Sequence, residues 1–147
     1  MNPTLRNFCF ALLTLAMALP AAAASLSTPK MIAVYFTADW CPSCKILSPI
    51  LDEARAQGKL DRKDILFVKM DFSNANTTHQ SGLLANALGM APFVKKQGGG
   101  TGYVAVLAAD KTTELLRFGR KATSGDIVAA FDELLESATI AAPAAPK

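Results

Sequence analysis

Residues 31–57 read MIAVYFTADWCPSCKILSPILDEARAQ and change character once, at Cys41. Met31 to Thr37 is an unbroken run of aliphatic, β-branched and aromatic residues, the pattern of a strand buried on both faces. From Pro42 the apolar residues recur at helical spacing (Ile46, Leu47, Ile50, Leu51, Ala54), and Gly58 suits the C-terminal cap. Trp40-Cys41-Pro42-Ser43-Cys44 therefore stands at a strand-to-helix junction. With Cys41 as N-cap, Pro42 takes N1, where its missing N–H costs nothing. Ser43 and Cys44 then aim backbone N–H groups toward the Cys41 sulfur, and the helix dipole adds to them in favouring a thiolate.

Beyond this stretch, Ile65 to Met70 (ILFVKM) reads as a second buried strand closed by Asp71. Thr78 to Leu88 has a helical pattern, and Gly89 to Gly102 is expected as a loop punctuated by Pro92 and Gly98-Gly99-Gly100. Tyr103 to Leu107 and Thr113 to Phe118 form a hairpin about Ala109-Asp110-Lys111. Ser124 is expected to cap the last helix, whose inner face carries Ile127, Val128, Phe131, Leu134 and Leu135. The order β-α-β-α-β-β-α gives an α/β fold, a central mixed sheet with helices on both faces.

The ends read differently. Met1 to Ala24 has the form of a secretory signal peptide. Arg6 precedes an apolar run of 12 residues, Phe8 to Leu19, and Ala22-Ala23-Ala24 precedes an expected cut at Ser25. Cys9 lies inside that run and leaves with it. Residues 25–137 are expected as one domain, and Ala138 to Lys147 as a flexible Ala/Pro-rich tail. Of the 147 residues 51% are hydrophobic and 18% charged, which excludes a disordered chain. A net charge of +3 gives no support for nucleic-acid binding. Three cysteines are too few for a disulfide scaffold, and removal of Cys9 leaves the pair Cys41 and Cys44.

The stretch YFTADWCPSCKILSPILDEA resembles the active-site segment of the thioredoxin superfamily, with WCxxC, the following Lys45, and Pro49 where that family kinks its helix. The resemblance runs from about Met31 to Leu135, and past Asp71 it rests on element order. It implies a thioredoxin-like fold and thiol–disulfide exchange with protein substrates. Cys44 lies one turn along the helix from Cys41, within disulfide reach, with its sulfur expected to be the more buried. Cys41 is thus expected to attack and Cys44 to resolve the mixed disulfide. A purely structural bond across so short a loop would remove little unfolded-state entropy. Two thiolates half-coordinate zinc, so no metal is expected there, although a Cu(I) carrier or a redox-inert scaffold stays open as the alternative. No cofactor is called for. The DWCPSCK context resembles exported reductive members, which leans the direction toward reduction. Export to the periplasm, a membrane redox partner and a monomeric state complete the expectation.

The sequence departs from the family pattern twice. The family's buried Asp, six residues before the first cysteine, is Tyr35 here. A phenol titrates near 10 and is a poor proton acceptor at neutral pH. Asp39 is nearer in sequence but faces solvent in the family, so water is a candidate acceptor for Cys44. Secondly, hairpin register puts the family's cis-proline site at Thr101-Gly102, where there is no proline, while Pro92 stands 10 residues early. Gly102 is favoured for that site and Pro92 as a helix-terminating residue. Trp40, Pro42, Thr101 and Gly102 are the expected substrate contacts. Lys45 and His79 read as solvent-facing, and the triple glycine lacks the context of a phosphate loop.

Overall fold

A computed structural model describes residues 28–58 and 60–141. Four strands, β1 (Met31–Thr37), β2 (Ile65–Asp71), β3 (Tyr103–Ala108) and β4 (Glu114–Gly119), form one sheet in the order β2-β1-β3-β4. β1 pairs parallel with β2 and antiparallel with β3, and β3 pairs antiparallel with β4, so the sheet is mixed. The helices are α1 (Pro42–Ala56), α2 (Ala75–Ala87), α3 (Ala91–Lys96) and α4 (Ser124–Ala141).

Every residue of β1 is buried, as the unbroken apolar run requires. Successive strand side chains alternate, so Met31, Ala33 and Tyr35 enter one core and Ile32, Val34 and Phe36 the other. The first core holds Leu47, Leu51 and Ala54 of α1 with Ile127, Phe131 and Leu135 of α4. The second holds Ala85 of α2, Met90, and Phe93 of α3. Helices thus cover both faces, and the end of β1 delivers Cys41 to the rim between them.

Three expectations change. The stretch expected as a loop from Gly89 to Gly102 contains α3, started by Pro92 in its first turn and anchored by buried Phe93. The last helix is capped one residue early. Thr123 Oγ1 accepts from Asp126 N–H (3.1 Å) while the Asp126 carboxylate accepts from Thr123 N–H (2.9 Å). That helix also runs to Ala141, so the first four residues assigned to the tail are helical. The expected signal peptide, Met1 to Ala24, and residues 142–147 lie outside the described residues.

Candidate active site at the strand-to-helix junction

Cys41 is the N-cap of α1, with extended backbone (φ −85°, ψ 113°), and Pro42 follows in the first turn. Of the two expected donors, the N–H of Cys44 makes the bond to Cys41 Sγ, at 3.2 Å. Cys41 and Cys44 are joined as a disulfide, their Cα atoms 5.3 Å apart. The expected difference in burial is slight: Cys41 is 4% exposed and Cys44 3%. The two sulfurs differ more in their polar surroundings. Cys41 Sγ faces a donor, whereas Cys44 Sγ lies 4.0 Å from the carbonyl oxygen of Phe36. Once the bond opens, a donor favours the thiolate at Cys41 and a carbonyl favours the thiol at Cys44.

Gly102 closes the site from above. Its N–H donates to the same Phe36 carbonyl at 2.8 Å. Its φ is +89°, and a Cβ built there would stand 2.7 Å from Ser43 Cβ and 3.3 Å from Cys41 Sγ. Only glycine fits so close an approach with that backbone. Pro92 lies in α3, and no peptide bond among the described residues is cis. Thr101 precedes Gly102 and is half-buried. Trp40 is 61% exposed beside the pair, held by a long bond from Nε1 to the Phe72 carbonyl (3.4 Å). Pro42 and Lys45 are exposed too.

Tyr35, in place of the family's buried Asp, points into the core beneath α1. Its hydroxyl donates to the Cys44 carbonyl at 3.2 Å and lies 2.9 Å from Ser48 Oγ. Ser48 was missed in the sequence; its spacing of four from Cys44 on a helix is the only signal it offers. The two hydroxyls line a cleft of about 310 Å³ with Asp52, Arg55, Phe67 and Lys69. Asp39 is exposed, its N–H bound to Ser73 Oγ (2.8 Å), and His79 is exposed on α2. No group of three or more His, Cys, Asp or Glu side chains among the described residues is arranged to hold a metal ion.

The Thioredoxin family model matches residues 22–85. A thioredoxin of Mycoplasmoides gallisepticum is 53% identical over 51 residues, 35% of this chain and 47% of that protein. A protein disulfide-isomerase of Hordeum vulgare is 30% identical over 109 residues, 74% of this chain and 20% of that protein. The chain thus spans less than half the length of these curated relatives. A solved thioredoxin from Wuchereria bancrofti aligns over 81% of this chain and 86% of its own, with 23% identity and a TM-score of 0.45. By the family match over residues 22–85, the WCPSC junction and the mixed sheet that carries it, the chain is similar to the thioredoxin superfamily.

Proposed function

We propose that this protein is a thiol–disulfide oxidoreductase acting on protein substrates through Cys41 and Cys44. The observation that carries the reading is Cys41 at the N-cap of α1, its sulfur accepting the N–H of Cys44, with the partner cysteine within bonding reach. The likeness to a thioredoxin and to a protein disulfide-isomerase supports it. In the reducing direction the Cys41 thiolate attacks one sulfur of a substrate disulfide, forming a mixed disulfide and releasing a thiolate that water protonates. Cys44 gives its proton to water and attacks Cys41 Sγ, expelling the second substrate thiolate. The substrate gains two electrons, and the protein is left with the Cys41–Cys44 disulfide. Trp40, Pro42, Thr101 and Gly102 form the surface that the substrate crosses.

The proposal extends to export, with the N-terminal apolar run as a cleaved signal, to a monomer, and to a periplasmic reductase recharged by a dithiol of a membrane partner. Replacing Cys44 with Ala tests the chemistry. Mixed disulfides trapped through Cys41 in a periplasmic extract are expected; no adduct, with one Cu(I) bound per native reduced protein, would establish the carrier instead. A potential close to −270 mV is expected by glutathione equilibration, and one near −120 mV would reverse the assigned direction.

A further inference from the structure

The loop that brings Gly102 over the redox pair is Gly98-Gly99-Gly100-Thr101-Gly102, with positive φ at Gly98, Gly99 and Gly102. Four glycines in five residues give the unconstrained segment a large conformational freedom to lose. Yet Gly102 is held so close to Ser43 and Cys41 that an added Cβ would collide with the Ser43 side chain. The bond from Gly102 N–H to the Phe36 carbonyl fixes one point of the loop, and contacts outside it must hold the rest. Gln97, at the C-cap of α3, holds one end: its backbone carbonyl accepts from Gly100 N–H at 3.1 Å. Its side-chain Oε1 accepts from the Tyr103 hydroxyl at 3.1 Å and from Arg117 Nη2 at 2.8 Å. Tyr103 directly follows Gly102 and stacks on Phe36, centroid to centroid 5.0 Å. The Arg117 guanidinium lies 4.3 Å from the Tyr103 ring centroid, and Glu114 fixes it with bonds of 2.6 and 2.8 Å. One side-chain cluster therefore ties both ends of the glycine loop to the β3–β4 hairpin.

We propose that Gln97, Tyr103 and Arg117 are positioning residues that fix the Gly102 backbone for docking of a substrate polypeptide across Cys41. The proposal rests on the oxidoreductase reading. Gly102 offers a partner only backbone, so its use as a contact depends on where the loop is held. A released loop must be ordered again each time a polypeptide docks, which weakens docking without touching the sulfur chemistry. A small disulfide needs no such surface.

The test compares Arg117→Met and Gln97→Leu with the native protein, using insulin and hydroxyethyl disulfide as substrates. KM for insulin is expected to rise about five- to tenfold with kcat nearly unchanged. The rate with hydroxyethyl disulfide, and the pH profile of Cys41 alkylation, are expected to stay within about twofold, because Cys44 N–H and the helix that activate Cys41 are intact. Amide exchange at Gly100 and Gly102 is expected to quicken about tenfold. An unchanged KM for insulin, or equal losses with both substrates, overturns the proposal. Native protein inert toward both disulfides overturns the oxidoreductase reading. The clamp is then judged on amide exchange alone, where unchanged protection in both variants overturns it and a tenfold loss upholds it.

Discussion

Gly102 and Tyr35 occupy the two positions where this chain departs from the thioredoxin pattern, one above the disulfide and one below it, and their contacts differ in kind. Gly102 acts by what it lacks. Alanine there meets two separate penalties, a left-handed φ and a Cβ 2.7 Å from that of Ser43. Gly102→Ala is expected to cost about 2 kcal/mol by urea denaturation. Adding Ser43→Gly removes the collision and should recover part of the loss, leaving the backbone penalty. Full stability in the single variant would contradict the close approach. Tyr35 acts by its hydroxyl, which binds the Cys44 carbonyl and the Ser48 hydroxyl rather than either sulfur. Tyr35→Phe keeps the buried ring and loses those bonds, an expected cost of about 1 kcal/mol. The alkylation rate of Cys41 should stay at the native value, because no bond to its sulfur changes; a large fall would show that the phenol reaches the chemistry. Position 35 was legible as a departure, since a missing Asp is visible in a sequence. Its partner was not, because a serine on a helix is ordinarily a solvated residue.

Short-range carboxylate bonds fasten the elements that follow the site. Asp110 closes the β3–β4 turn, accepting from Thr112 N–H, Thr113 N–H and the Thr113 hydroxyl at 2.9, 2.9 and 2.6 Å. These bonds, the Thr113 hydroxyl first, hold the Asp110 carboxyl from its ordinary 3.8 down to about 2. Asp126 is lowered by the Thr123 backbone N–H and hydroxyl at the start of α4, and Glu114 by its bond from Arg117. A carboxylate whose native pKa lies below its unfolded value contributes stability that is complete above the unfolded pKa and is lost as pH falls through the native one. Stability should therefore be level above about pH 5 and fall between about pH 4 and 2. Urea midpoints across that range check it, and Asp110→Asn should flatten the lower part of the fall. A slope unaltered by Asp110→Asn would remove the turn from the account. The hairpin and its turn were legible because Asp and Lys punctuate two apolar runs. Helix α3 was not: it has six residues, and its N-cap Met90 makes no side-chain bond. Its start is marked only by Pro92, which suits a loop equally well.

At the scale of the whole molecule the fold was legible because β1 has no polar interruption, which forces helices onto both faces of the sheet. The pairing of β1 with β3 was less so, since antiparallel neighbours here lie far apart in sequence and side-chain periodicity does not record direction. The same two-sided burial bears on whether the disulfide holds the protein together. Met31, Leu47, Leu51, Phe131 and Leu135 pack on one face, in the cluster that also holds the Cys41–Cys44 bond, and Phe36, Met70, Met90 and Leu107 pack on the other, outside that cluster. That bond links residues three apart, so opening it restores little freedom to the unfolded chain, about 2 kcal/mol on the loop-entropy account. Reduction by dithiothreitol should lower the urea midpoint modestly and leave the far-ultraviolet circular dichroism of the native protein unchanged. The proposed exchange chemistry makes and breaks this bond in each turnover and so requires this tolerance, because the reduced form must keep Gly102 and Cys44 in place around a free Cys41. Reduced protein that unfolds without denaturant would mean the disulfide is a structural staple, and the assignment of Cys41 and Cys44 to exchange chemistry would fall with it.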